Sequence, residues 1–268
     1  MNLNKILKKV GLLALGLTLT ACASGSETAS PEAIQAKGKL VVATSPDYAP
    51  FEFQTLIDGK NQVVGADISL AQDIADELGV DLEVSAMSFD NVLTSLSSGK
   101  ADLALAGLSK TPEREEVVTF SDSYYENGRV LLVRYEDKAT LKSLDNFKGK
   151  KIAAQKGTLE EQLVKEQLIS SEVISLQAMG EAINELVTGK VDAVAIDQAV
   201  ATGYTSQNDK LAISDAELKT QETIGTAVAM QKGNKELEAV VNKVIAKVKK
   251  DGSYAKYLEE ASTYTVVE

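Results

Sequence analysis

The chain contains no histidine and no tryptophan, a single cysteine, four prolines and few aromatic residues. Each shortage closes off a class of chemistry. Without imidazole, and with one thiol only, neither a His/Cys metal site nor Ser-His-Asp or Cys-His catalysis is available. One cysteine also leaves no intrachain disulfide to help the fold. Positive charge is short as well: 28 Lys and Arg stand against 39 Asp and Glu, a formal net charge of -11. That balance makes nucleic acid and anionic lipid poor partners. Beyond the first 21 residues there is no apolar run long enough to cross a bilayer.

The N-terminus does hold a short apolar run. Lys5, Lys8 and Lys9 precede the stretch from Val10 to Thr20, and small residues follow, which is the layout of a cleaved secretory signal. The Leu19-Thr20-Ala21-Cys22 ending resembles a bacterial lipobox. The resemblance implies that Cys22 becomes the mature N-terminus and carries lipid (palmitate), tethering the protein to the outer face of the cell membrane. Residues 1–21 hold three lysines and no acid, so the remainder has 25 basic and 39 acidic residues, a net charge of -14. About 245 residues suffice for two small lobes or one large domain. Residues 22–36 are expected to be a flexible spacer, with folded sequence starting near Lys39.

From there, apolar runs alternate with helical patterns: Leu40 to Ala43, a helix around Ser69 to Leu78 closed by Gly79, Val80 to Val84, a helix from Asn91 to Gly99, and Ala101 to Ala106. Such β-α-β alternation predicts an α/β fold with parallel sheet covered by helices. The pattern recurs. Leu96-Ser97-Ser98-Gly99-Lys100-Ala101-Asp102-Leu103-Ala104 parallels Leu186-Val187-Thr188-Gly189-Lys190-Val191-Asp192-Ala193-Val194, as expected for two similar lobes. In that register Gly107 corresponds to Asp197. Both follow a strand, where open α/β sheets bind their ligands.

Several residues near these strand ends could hold a small ligand. Thr111 and Pro112 begin a helix, which puts Arg114 in its first turn beside Gly107 and Ser109. A cation there opposes the helix dipole and makes sense if it grips a carboxylate. It reads equally as a surface arginine offset by Glu113, Glu115 and Glu116. Thr158 with Glu161 forms a capping-box pattern after the strand Lys151 to Ala154, and the helix start could bind an anion or simply be capped. Asp197 ends an apolar strand, where a buried carboxylate calls for a cationic partner such as an α-ammonium group; it would also serve as a plain N-cap. In Ser45-Pro46-Asp47-Tyr48-Ala49-Pro50-Phe51-Glu52-Phe53, Tyr48 is expected to be exposed and to stack on a ligand, with Phe51 and Phe53 in the core.

From about Lys39 onward the chain resembles the polar amino-acid binding proteins of bacterial ABC importers, solute-binding protein family 3, which includes glutamine, histidine and lysine/arginine/ornithine binders. The resemblance rests on Tyr48-Ala49-Pro50-Phe51-Glu52-Phe53, Gly65-Ala66-Asp67, Gly99 to Gly107, Thr111-Pro112-Glu113-Arg114, Phe120-Ser121-Asp122 and Asp251-Gly252-Ser253-Tyr254, in the family's order. It implies that Arg114, Ser109 and the loop Gly157-Thr158-Leu159 hold an α-carboxylate, and that Asp197 and the Gly107 carbonyl hold an α-ammonium. Ser45 stands where several relatives have an acid, Ala66 where some have a bulkier residue, and Gln155 lies opposite Tyr48.

The resemblance implies a two-lobed, type II periplasmic-binding-protein-like fold with its cleft between the lobes. Lobe 1 is expected over 37–127 plus 226–268 and lobe 2 over 128–225, with chain crossings near Asn127 to Val130 and Thr223 to Thr226. It further implies no cofactor, no metal and no nucleic acid, and a monomer that delivers a free L-amino acid to a permease and its ATPase. Arginine is the first expectation and lysine the second, with glutamine and other polar amino acids as alternatives. For a cation, Glu160 or Glu222 would have to supply the charge missing at Ser45. A cyclohexadienyl or arogenate dehydratase-like enzyme and an extracytoplasmic sensor are the competing classes.

Overall fold

The computed structural model describes residues 29–126, 128–220 and 224–267. Cys22 and Glu222 lie outside the described residues. Two five-stranded mixed sheets dominate the molecule. The first runs, in spatial order, Asp81–Ala86, Lys39–Thr44, Leu103–Ala104, Thr226–Gln231 and Val118–Tyr125. The second runs Glu172–Leu176, Lys151–Gln155, Ala193–Asp197, Arg129–Arg134 and Leu211–Leu218. In each, three parallel strands are followed by one antiparallel strand and then an edge strand antiparallel to that one. The internal repeat is therefore a repeat of topology. In each sheet the antiparallel strand comes directly from the edge strand of the other, so the chain crosses between sheets after Tyr125 and returns after Leu218.

The strands are apolar on both faces because both faces are covered. In Lys39–Thr44, Leu40 and Val42 join a core with the helices Ala66–Leu78 and Lys235–Asp251, whereas Val41 and Ala43 join another with the helix Phe89–Ser97. In the second sheet Ile152 and Ala154 pack under the helix Leu159–Gln167, while Ala153 faces the helix Met179–Val187. Glycine caps act as expected, with Gly79 in the left-handed region at φ 71°. The strand anticipated over Ala101 to Ala106 shortens to Leu103–Ala104. Its flanks instead bend into loops, and Asp102 accepts the Val41 N–H at 2.7 Å and pairs with Lys37 at 2.6 Å.

Ordered structure begins before Lys39, which corrects the expected spacer. Ser30 caps a helix over Pro31–Lys37 by accepting the Ala33 N–H at 3.2 Å. Pro31 fits the first turn, and Ile34 is buried in the core of the first sheet. One large apolar side chain in a seven-residue polar stretch is enough to dock it. A three-stranded antiparallel sheet, Asp47–Tyr48, Glu52–Ile57 and Lys60–Val64, lies at the seam between the halves. It carries the loop around Tyr48.

Candidate functional site

The ends of both sheets' parallel strands meet around one small cavity of about 10 Å3. Tyr48, Gly107, Ser109, Arg114, Gln155, Thr158 and Leu159 line it, together with Asp47, Glu52, Phe89, Ala106 and Glu160. Three expected residues, Ser45, Ala66 and Asp197, stand outside this lining. Ser45 turns to Asp47, its hydroxyl 3.1 Å from Oδ1, and Ala66 is fully buried at the start of its helix with its N–H on the Pro50 carbonyl. Asp197 lies just behind the lining, its N–H donating to the Tyr48 hydroxyl at 3.2 Å.

Arg114 is placed by a four-residue helix, Pro112–Glu115, capped by Thr111. Its guanidinium donates to the Ser109 carbonyl at 2.8 Å and, across the seam, to the Gly157 carbonyl at 3.0 Å, and sits over the Phe89 ring. Burial lowers its pKa to about 10, so it remains charged at neutral pH. Thr158 caps the helix Leu159–Gln167 by accepting the Glu161 N–H at 3.2 Å. The reciprocal half of the capping box is displaced by one residue, because Glu161 accepts the Gly157 N–H at 2.8 Å.

Tyr48 is 9% exposed, against the expectation of an exposed ring. It is packed over Gly107, where an added Cβ would meet the ring at 3.2 Å, and Gly107 itself adopts φ 57°. Only glycine suits both conditions. Burial, then the Glu160 and Asp197 carboxylates, push the Tyr48 phenol well above its ordinary pKa. The ring is therefore a neutral wall. Phe51 and Phe53 are buried as expected.

Asp197 satisfies both of its sequence readings. It caps the helix Gln198–Gln207 through the Ala199 N–H at 2.9 Å, and its other oxygen lies 3.4 Å from the Arg129 guanidinium. Burial raises its pKa to about 7, an effect that Arg129 opposes and Glu160 reinforces. Arg129 was not anticipated. It pairs with Glu160 at 2.6 Å and donates to the Ser109 hydroxyl at 2.8 Å, with its side chain 2% exposed. Burial works against its charge, but Glu160 and Asp197 outweigh that and hold it above its ordinary pKa. A signal existed: an arginine at the head of the apolar strand Arg129–Arg134 needs a partner as much as Asp197 does at the tail of its own.

Two acids from the segment around Tyr48, Asp47 and Glu52, line the cavity. Asp47 takes the Gln155 amide at 2.9 Å and the Met179 N–H at 2.8 Å, both from the second half. Glu52 is fully buried beside Asp67. Carboxyl groups thus stand two and seven residues beyond Ser45, the second with its pKa pushed well up by burial and then by Asp67 and Asp47. Glu160, one of the two acids expected to supply the charge missing at Ser45, does line the cavity, but it is held by Arg129.

A larger cavity, about 940 Å3, opens elsewhere between the halves, along Pro50, Tyr125, Asn184, Gln198, Tyr204 and Tyr264. Among the described residues that line it Glu259 alone is charged, and none of them would neutralise a carboxylate. The small cavity, where opposite charges converge, is the better candidate. Among the described residues no group of three His, Cys, Asp or Glu side chains could hold a metal ion, and no helix is long and apolar enough to cross a membrane.

Residues 40–261 match the model of the bacterial extracellular solute-binding proteins, family 3. The chain belongs to this family. It is 33% identical over 250 residues to the arginine-binding extracellular protein ArtP of Bacillus subtilis, covering 91% of this chain and 93% of that one. A Streptococcus pneumoniae amino-acid ABC transporter substrate-binding protein, solved bound to L-arginine, superimposes with a TM-score of 0.88 at 56% identity, over 90% of this chain and all of that one. An ancestral arginine-binding protein solved bound to glutamine gives 0.75 at 39% identity, over 83% and 97%. This solute-binding protein therefore has the two-lobed type II fold, acts outside the cytoplasm, and is a binding protein rather than an enzyme.

Proposed function

We propose that the protein is the substrate-binding component of an ABC amino-acid importer and that its ligand is L-arginine. The observation that carries this is the convergence, on one cavity, of a cation with hydroxyl and amide groups at one end and acids at the other. Arg114, Ser109 and the start of the Leu159–Gln167 helix would hold the α-carboxylate, and Asp197 with the Gly107 carbonyl the α-ammonium. Asp47 and Glu52 face a cationic side chain, and Tyr48 presents a ring to it. The relatives that bind arginine support the same ligand. The glutamine bound by the ancestral protein makes glutamine the second reading.

A cavity of about 10 Å3 has room for about one water molecule, so an amino acid enters only when the halves part. Residues 37–127 plus 226–268 would move as one lobe and 128–225 as the other, about the two crossings. The polar contacts that separate include Gln155 and Met179 with Asp47, Asp197 with Tyr48, Arg114 with Gly157, Arg129 with Ser109, and Lys156 with Asp90 at 3.0 Å, beside an apolar cluster that draws Tyr48 and Phe51 from one half and Met179 and Ala182 from the other. The closed form would be what the permease and ATPase receive, with the monomer tethered by lipid on Cys22. Thermal-shift screening of the twenty amino acids tests the ligand. At 100 times its Kd a ligand stabilises by about 2.7 kcal/mol, and arginine should give the largest shift. A clear win for glutamate or an apolar amino acid, with arginine inert, would refute the assignment.

A further inference from the structure

Arg129 uses its whole guanidinium on three groups that face different ways. Its side chain, 2% exposed, places Nε 2.6 Å from Glu160 Oε1 and Nη1 3.4 Å from Asp197 Oδ2, while Nη2 donates to the Ser109 hydroxyl at 2.8 Å. The first two contacts balance acids. A lysine would do that with a single point charge, so charge balance alone does not call for a planar fork. The third contact joins the halves: Arg129 opens a strand of the second sheet, whereas Ser109 follows the strand Leu103–Ala104 of the first.

Ser109 is itself held firmly. Its backbone bridges Thr226 at the head of the returning strand, its carbonyl accepts the Thr111 N–H at 3.1 Å and the Arg114 guanidinium at 2.8 Å, and the residue is buried. What is left to decide is the direction of the hydroxyl proton. A serine hydroxyl carries one proton and two lone pairs, and its rotor turns to suit its partners. A guanidinium only donates, so contact with Arg129 occupies a lone pair and turns the proton elsewhere. That proton has no acceptor among the described residues, and Ser109 lines the small cavity beside Arg114 and Thr158. An anion at that end of the cavity is the acceptor the arrangement calls for.

We propose that Arg129 is a positioning residue for the ligand: by occupying a lone pair of Ser109 it turns the Ser109 proton into the cavity, toward a ligand carboxylate, and does so only while the halves are shut. This rests on the reading of the cavity as an amino-acid site with the carboxylate at Arg114 and Ser109. No bond to a proton breaks; a rotor is set. With the halves apart the hydroxyl turns freely and bonds water, so orienting it beforehand removes an ordering cost that the ligand would otherwise meet. A charged donor on the oxygen also polarises the O–H and strengthens the hydrogen bond it gives. Both gains belong to the closed form, and a bound carboxylate therefore favours closure.

A double-mutant cycle tests this. Calorimetry with L-arginine compares the wild type, Arg129→Lys, Ser109→Ala and the two together. Arg129→Lys keeps a positive charge between Glu160 and Asp197 but cannot reach all three groups at once. Each single variant should weaken L-arginine about 10-fold or more, the worth of one hydrogen bond to a charged group. The double variant should be no more than about twofold weaker than Ser109→Ala, because no hydroxyl remains for Arg129 to orient. A loss that came through packing, or through Asp197 and the ammonium end, would persist in full in the Ser109→Ala background and overturn the proposal. So would an Arg129→Lys protein that binds like the wild type. If the lysine variant fails to fold, Arg129→Met with Glu160→Met, which exchanges the buried ion pair for apolar packing, takes its place. It should show a coupling to Ser109 of about fivefold or more, since the loss of Glu160 appears in both backgrounds and cancels. Unchanged affinity in Ser109→Ala takes the hydroxyl out of the site and overturns the proposal as well, whereas a wild type that binds none of the twenty amino acids refutes the functional reading on which it stands.

Discussion

Asp197 should make ligand affinity depend on pH, and the dependence can be worked out from its surroundings. Its carboxyl is 4% exposed, and burial raises its pKa from 3.8 to about 7. At about 1.36 kcal/mol per unit, ionising it where it stands costs roughly 4 kcal/mol. An α-ammonium placed against it favours the ionised form. Because the pKa is raised, the neutral carboxyl predominates between about pH 4 and pH 7, so binding in that range must expel a proton. Affinity is therefore full above about pH 7 and falls below it, by up to about tenfold per unit. Asp197→Asn removes both the charge and the proton, while its side-chain oxygen can still accept the Ala199 N–H that starts the helix. The variant should bind about 2–5 kcal/mol more weakly at pH 8, and its plot of log affinity against pH should be shallower by one proton. Titration calorimetry from pH 5.5 to 8.5 measures both. A variant within a few-fold of wild type at pH 8, or one with the wild-type slope, would show that Asp197 does not hold the ammonium group.

Replacing Arg129 with methionine leaves Glu160 and Asp197 facing each other without their shared cation. Removing one member of a buried ionic group typically destabilises by about 3–5 kcal/mol, which chemical denaturation at pH 7 should register and which should shrink at acid pH. Cys22→Ala should release the protein from membranes without lowering its melting temperature. Detergent-phase partitioning checks this, and wild-type protein recovered wholly in the aqueous phase contradicts the lipid tether.

The architecture was legible because it is carried by local signals. Apolar runs of strand length, helix caps such as Gly79 and Thr111, and the Lys-x-Asp repeat each act over a few residues. They survive translation into structure almost unchanged. Even the correspondence of Gly107 with Asp197 was available from the repeat: the strands Leu103–Ala104 and Ala193–Asp197 hold matching places in their sheets, although Asp197 is the last residue of its strand and Gly107 lies past the end of its own. What could not be read were properties of the assembled seam. Tyr48 looks like an exposed aromatic until the second sheet supplies the Asp197 N–H that covers its hydroxyl. Pro31–Lys37 looks like spacer until Ile34 finds a core.

Arg129 and Glu52 illustrate the harder limit. A charged residue that opens a strand is ordinarily an exposed end, and both sit at that position, in Arg129–Arg134 and Glu52–Ile57. Their burial follows from the chain crossing between sheets at one and folding back from the Tyr48 loop at the other. Sequence does nonetheless record a constraint. A charge adjoining Val-Leu-Leu-Val, or lying between Phe51 and Phe53, cannot be buried unless something answers it. For Arg129 the answer is Glu160 and Asp197, already present in the fold. For Glu52 neither carboxyl oxygen finds a hydrogen-bond partner among the described residues. One of these residues is satisfied by the chain and the other is not, although both open a strand and both are buried.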